Sequence, residues 1–354
     1  MLIYLKGKKM RKPVFDKIAL AVNVLMISIF IYGCGDTYNP NYSMGLIYSK
    51  ENKADTNFVL FDENLEQVDE YKTSYPNVQY MGYDNATVEN GDLYINPQGH
   101  WDKKDYGKIV KIDLNDGIEE FYDFGRVNIV DFSYKNEGLY ATSNLNGICY
   151  IDYMDCKTKE ISTIETTDVI ITTIVAGDSV AYGVGMSFET DESCIYKLNF
   201  EEKKIELLYE CQSESNPCYF VHNENQLYFI DDNKLIEYDL ELGEYKSYEL
   251  LHENAYNLLK KGNNIYIACT DIHNGGVSYV DIFDLEKKEV LNLLQCENEI
   301  MQMEITDLED SIYILSLEEL IQYKIEKGQA EEINRISVES EDTYFIGGFY
   351  LKEE

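Results

Sequence analysis

The sequence predicts an all-β chain folded as a seven-bladed β-propeller, closed by a C-terminal strand that joins the N-terminal blade. Three observations predict it. A short strand motif, an apolar residue followed by Tyr after a polar turn, occurs at Tyr48, Tyr94, Tyr140, Tyr182, Tyr228, Tyr266 and Tyr313. The spacings are 46, 46, 42, 46, 38 and 47 residues, a mean of about 44, which is the length of a four-stranded propeller blade. The repeat region, residues 42–354, begins in phase with the second strand of a blade ("GLIYSK") and ends just after a first strand ("TYFIGGFYL"). A two-domain β-sandwich would leave the sevenfold recurrence of Tyr unexplained.

The N-terminus comes first in the chain. Lys6, Lys8, Lys9, Arg11, Lys12 and Lys17 stand against the single acid Asp16, and the run from Ile18 to Gly33 is apolar apart from Asn23 and Ser28. A basic stretch followed by an apolar one is the order of an export signal. The apolar run is 16 residues long, whereas a membrane-spanning helix needs about 20. The stretch "IYGC" resembles the lipobox of bacterial lipoproteins, with Gly33 before Cys34 and Gly35 after it; Tyr32 departs from the pattern, where a small residue is usual. The resemblance implies that residues 1–33 are a lipoprotein signal peptide, that Cys34 is diacylated and becomes the new N-terminus, and that residues 34–41 form a lipidated tether. Two acyl chains give stable anchoring where one does not. The expected location is the outer side of the cytoplasmic membrane. An uncleaved signal anchor is the alternative, and Met10, followed by "RKPVFDK", also serves as a start.

The repeat then takes over. Each Tyr strand is followed by another strand, a tight turn and a further strand, as in "KIVKIDLNDGIEEFYDF", "KLIEYDLELGEYKSYEL" and "VSYVDIFDLEKKEVLNLL". Asp opens these turns, at Asp113, Asp239 and Asp284, and Gly or a flexible polar residue closes them, at Gly117, Gly243 and Lys288. That is turn chemistry. Weaker copies are expected to turn at Asp62, Asp152, Asn199 and Lys324. An apolar run precedes each Tyr strand, such as "VNIVDFSY", "VIITTIVA" or "IMQMEITD". Six full blades plus one composite blade account for the region, and closure by the last strand removes open sheet edges.

Composition sets limits on function. The formal charge is −35 for the whole chain; residues 1–33 carry +5, so the mature chain of 321 residues is near −40. So acidic a surface repels nucleic acid and anionic headgroups, which excludes nucleic acid as an expected partner. A chain of this length buries roughly three quarters of its unfolded surface. Beside Cys34 there are seven cysteines, with no CxxC and no Cys/His spacing of a zinc site. Cys211 and Cys218 are the pair closest in sequence that a loop would bring together; most others lie in strand-like runs and read as small core residues.

The Tyr-centred repeat resembles the broad seven-bladed superfamily of YVTN and WD40-like repeats over nearly all of the mature chain. The single Trp argues against true WD40, tryptophan-docked and Asp-box blades, and no paired-glycine kelch signature recurs. The resemblance implies an architecture and no activity. In such rings the loops joining second to third strands share a face with the inter-blade links. Here those loops differ in length, and the long ones read "NPQGHWDKKDYG", "GMSFETDES" and "TDIHNGG". Loops of this kind carry function.

Candidate ligand-binding residues are therefore Trp101, with His100 and Tyr106 beside it, Phe188, and His273. Trp101 offers a stacking surface for a sugar ring or apolar ligand, or packs its own loop. Arg126, at a link, would clamp a ligand carboxylate or pair with a local acid. His252, Asp271 and His273 are of the residue types that bind a transition metal, although unrelated surface groups explain them as well. No nucleophile elbow, P-loop or dinucleotide fingerprint is present. The expected function is a membrane-anchored extracytoplasmic binding or interaction module for a glycan, peptide or partner protein, without a cofactor. The alternative is a metal-assisted hydrolase or lactonase at the channel mouth, with a divalent cation.

Overall fold

The computed structural model describes residues 40–50, 56–73, 75, 86–97, 107–177, 180–212, 220–271, 277–338 and 344–352. Cys34, His100, Trp101, Tyr106, Cys218 and His273 lie outside them. The described chain forms seven four-stranded antiparallel sheets, the blades of a seven-bladed β-propeller. Blades 2 to 7 take their strands in sequence order. Blade 1 is composite: its innermost strand is Tyr344–Leu351, followed outward by Met44–Lys50, Thr56–Phe61 and Gln67–Thr73. Each innermost strand touches the next around the ring, and Tyr344–Leu351 touches the innermost strands of both blade 7 and blade 2. Closure by the terminal strand is thus as the phase of the repeat predicts.

All seven repeat tyrosines occupy the second strand of their blades. Six are buried and Tyr48 is half-buried. Their rings fill the gap toward the following blade: Tyr94 stacks on Tyr134 at 4.4 Å, Tyr140 packs on Phe200 at 5.5 Å, and Tyr182 lies 5.2 Å from His222. A large ring with a polar tip suits this position, because its body is buried while its hydroxyl reaches the more polar surface.

The tight turns follow their chemistry. The Asp113 carboxylate accepts from the Asn115 N–H at 2.8 Å, and Gly117, at φ +72°, closes back on the Asp113 carbonyl at 2.8 Å. Asp239 and Gly243 repeat the arrangement. In blade 6 the closing residue is Lys288, at φ +58°. Its strained backbone is retained with a use for the side chain: Nζ donates to Glu237 at 2.9 Å and to the Tyr228 hydroxyl at 3.1 Å. Two turns differ from the sequence reading. Asp152 lies within the strand Ile148–Asp155 and is buried; the turn opens at Asp155, which accepts from the N–H groups of Lys157 and Thr158. Lys324 is likewise inside the strand Glu319–Glu326, and the turn falls at Lys327 and Gly328.

Side chains bind neighbouring blades to one another. Asp131 Oδ2 accepts from the Ile174 N–H at 2.6 Å, and Ser133 Oγ accepts from the Ala176 N–H at 3.0 Å, joining blades 3 and 4. The Tyr256 hydroxyl donates to the Ile300 carbonyl and accepts from its N–H, at 2.7 and 3.1 Å. These bonds satisfy backbone groups that the innermost strands leave unpaired at their edges. Cys149, Cys194, Cys211, Cys269 and Cys296 are buried free thiols.

Candidate functional site

The strand directions define two faces. First-to-second and third-to-fourth turns lie on one, here the turn face. Second-to-third loops and inter-blade links lie on the other, the link face. Of the residues singled out from the sequence for ligand binding, the described ones, Arg126 and Phe188, lie on the link face. Among those described, Phe188 is 42% exposed, and its N–H donates to the Asp168 carbonyl of the adjoining link at 2.9 Å.

Arg126 is engaged within the protein. Its Nε and a terminal nitrogen donate to the two oxygens of Asp152 at 2.6 and 2.7 Å, and its guanidinium lies 4.1 Å from the centre of the Tyr150 ring. The Thr163 hydroxyl also donates to Asp152, at 2.6 Å. Of the two sequence readings, the local pair describes this guanidinium, which fastens blade 2 to blade 3. His252 is held in a similar way. Its Nδ1 lies 3.0 and 3.1 Å from the two oxygens of Asp281, whose carboxylate is fully buried, and its ring stacks on Tyr279 at 3.7 Å. The partner of His252 is therefore Asp281, a residue that sequence spacing did not suggest. No group of three or more metal-ligating side chains is present among the described residues.

The turn face carries the feature that sequence reasoning missed. A cavity of about 1010 Å³ opens at the mouth of the central channel and runs outward between blades 7 and 1. One polar row crosses blade 7 along it. Glu304 pairs with Tyr313, Tyr313 with Gln322, and Gln322 with Asn334, one residue from each strand. Asn334 Nδ2 donates to Gln322 Oε1 at 2.8 Å, and Gln322 Nε2 donates to the Tyr313 hydroxyl at 2.7 Å. At the inner end Gln302 Nε2 donates to Glu304 Oε1 at 3.0 Å. Gln302 is itself fixed, since its Oε1 accepts from the Phe349 N–H at 2.9 Å and its Nε2 also donates to the Phe349 carbonyl at 2.7 Å. Burial pushes the Glu304 carboxyl up to about 7, against the opposing pull of the Gln302 amide and Lys261.

The fold is that of the seven-bladed β-propellers. No protein-family model and no curated protein matches the chain. Solved structures do. A Bacteroides fragilis protein provisionally assigned as a 6-phosphogluconolactonase superposes with a TM-score of 0.59 at 10% identity, covering 89% of this chain and 99% of its own. A Bacteroides uniformis protein with the same provisional assignment gives 0.60 at 11% identity, covering 87% and 99%. An oligogalacturonate lyase in complex with manganese gives 0.54 at 10% identity, covering 83% and 85%. At such identities the likeness is one of fold.

Proposed function

We propose that this chain is a lipid-anchored binding module of the cell envelope, held through Cys34 on the outer side of the cytoplasmic membrane. Its partner, a glycan, peptide or protein, is bound on the link face. The observation that supports this reading is the distribution of exposed apolar side chains. Among the described residues Val127 and Leu251 on links, and Leu145, Phe188 and Leu317 at second-to-third loops, are between 42% and 66% exposed on that face, while Ile118, Leu242 and Leu308 are exposed in turns of the opposite face. Single exposed apolar residues are ordinary, and it is the larger number on the link face, together with its unequal loops, that supports an interaction surface there. Spread over several blades, they suit a protein surface better than a single sugar. The folded domain is entered from the opposite face, at Pro40 to Ser43. Five residues separate Cys34 from Pro40, an extended reach of about 20 Å, so an anchor on Cys34 would tether the turn face and leave the link face to a partner.

The test has two arms. Mass analysis of the membrane fraction is expected to give a mature N-terminus at acylated Cys34; an intact 1–33 segment or a soluble product rejects the anchor. Photo-reactive side chains at Phe188 and Leu317 are expected to capture one common protein in cells, whereas the same group at Leu242 on the turn face does not. Equal capture from both faces, or none, rejects the binding face, and Trp101→Ala is expected to lower the yield. A hydrolase or lactonase at the channel mouth has Glu304 in its favour, because a carboxyl titrating near neutrality is suited to general acid–base work. Lactone turnover lost in Glu304→Gln would support that second reading.

A further inference from the structure

We propose that the cavity between blades 7 and 1 is a binding site for a small hydrophilic amine, an amino alcohol or amino sugar, whose ammonium group pairs with Glu304 and whose neighbouring oxygen accepts from the Tyr313 hydroxyl. The proposal depends neither on the anchor nor on the link-face partner.

The first observation is a comparison within the ring. The innermost-strand residue paired with the repeat Tyr is Ile346, Thr87, Ser133, Val175, Val221 and Leu259 in blades 1 to 6. In blade 7 it is Glu304. The architecture therefore fills this position with an apolar or hydroxyl side chain, and nothing in blade packing calls for a carboxyl. In blades 2, 4 and 5 the charged residues of this row begin at the third strand, with Lys111, Lys197 and Glu237, whereas in blade 7 the innermost strand itself contributes Glu304.

The second observation explains the cavity. A first-to-second turn can cover the space beside the repeat Tyr of the preceding blade. Blade 7 shows this: Glu309 in its turn accepts from the Tyr266 hydroxyl at 3.0 Å and from Asn264 Nδ2 at 2.8 Å. Blade 1 has no such turn, because its innermost strand is Tyr344–Leu351 and its second is Met44–Lys50, from opposite ends of the chain. The space next to Tyr313 is consequently left open. The Tyr313 hydroxyl accepts from Gln322, and its own proton has no acceptor among the described residues.

The third observation is charge. Lys261 is spent on Asp307, and Lys352 Nζ donates to the Pro40 carbonyl at 2.6 Å while lying 4.8 Å from the Tyr42 ring centre. Asp62, Glu63 and Asp310 line the same cavity without an ion pair among the described residues, and Glu304 adds to them. An acidic cavity favours a cation. Directly paired residues in a sheet hold their Cβ atoms about 5 Å apart, so one acceptor and one donor stand side by side. Adjacent amine and oxygen substituents match that spacing. Gln302, bonded to the Phe349 backbone, fixes the carboxylate before a ligand arrives, which is the preorganisation a binding site needs.

The groups facing Glu304 are Gln302 on its own strand, Tyr313 on the paired strand and Lys261 from the blade 6 turn. With its carboxyl titrating near pH 7, an ammonium ion binds the charged form and releases the proton. Affinity therefore rises with pH through that region.

The experiment is calorimetry on the full-length protein in mild detergent, with glucosamine and ethanolamine as soluble probes and N-acetylglucosamine as the uncharged control. Binding of either amine is expected at pH 7, and binding of ethanolamine, which stays protonated throughout, should be stronger at pH 8 than at pH 6. Glu304→Gln should weaken it by about tenfold or more and abolish the pH dependence, and Tyr313→Phe should weaken it by severalfold, as expected for loss of one charged and one neutral hydrogen bond. Soluble glycerophosphoethanolamine against glycerophosphocholine shows whether the amine is one carried on a lipid: Glu304-dependent binding of the former alone assigns a headgroup. Unchanged affinity in a folded Glu304→Gln protein, equal binding of N-acetylglucosamine, or no binding of any amine probe overturns the proposal.

Discussion

At the scale of single residues, the buried charges respond to their partners in opposite ways. Asp152 is 1% exposed, and Arg126 and Thr163 satisfy it. Removing the guanidinium strands a buried carboxylate, a loss of about 3–5 kcal/mol. Arg126→Met is therefore expected to lower the unfolding free energy read from urea denaturation by that order, and adding Asp152→Asn should restore part of it. Glu304 behaves differently. Its carboxyl is raised in the folded state from 4.5 to about 7, so the fold favours the protonated form. The stability this adds is fully present below about 4.5 and is lost as the pH rises through about 7. Relative to Glu304→Gln, the wild-type melting temperature should fall across that window and then level off; parallel curves would mean that the carboxyl is not desolvated. The legibility of the two residues differs for a physical reason. Arg126 stood out in the sequence, but its acid lies 26 residues away, beyond any local pattern. Glu304 sat in "IMQMEITD", which reads as an apolar run. Its signal was the spacing to the repeat Tyr, nine residues in blade 7 against seven in blades 2 to 6, which marks the longer turn that carries Asp307 and Glu309.

At the scale of elements, local chemistry was legible wherever it closes within a few residues. The Asp-opened turns at Asp113, Asp239 and Asp284 are of this kind, because the side chain bonds its own backbone. Asp152 and Lys324 misled because a polar residue inside a strand looks like a turn opener until its strand partners are known. Attachment between blades was not legible, since it joins residues far apart in sequence, 43 apart for Asp131 with Ile174 and 47 for Gln302 with Phe349. The second of these seams can be tested directly. Gln302 is 3% exposed, and its amide satisfies both the N–H and the carbonyl of Phe349. Gln302→Ala leaves these backbone groups without their partner, at a cost of about 1–3 kcal/mol for each buried group. Chemical denaturation should show a loss of about 3 kcal/mol, and hydrogen exchange should rise first in Tyr344–Leu351. A uniform rise over all blades would show that Gln302 stabilises the whole fold without guarding that seam.

At the scale of the whole molecule, the ring depends on one strand that arrives last in sequence and sits innermost in space. Tyr344–Leu351 pairs with Met44–Lys50 along its length, from Leu351 opposite Met44 to Tyr344 opposite Lys50. Its side chains reach blade 7 and the rest of blade 1. Phe349 is fully buried and Ile346 nearly so, in one apolar cluster with Tyr313 and Leu315 of blade 7. Tyr350 packs edge-on to Phe58 and Tyr42 at 6.4 Å, and it approaches Gly45 so closely that any Cβ there would meet its ring. Each of these large side chains contributes about 2 kcal/mol by burial, against a total domain stability of about 5–15 kcal/mol. Deleting residues 342–354 therefore removes a large share of the margin and exposes the edge of Met44–Lys50, which invites pairing with other chains. The truncated protein is expected to lose its cooperative melt and to aggregate. A synthetic peptide of the deleted residues, added in excess, should restore the melt in proportion to its concentration, because it rebuilds the same ladder. A truncated chain that melts like the intact one would show that six blades and a three-stranded remnant hold the ring unaided.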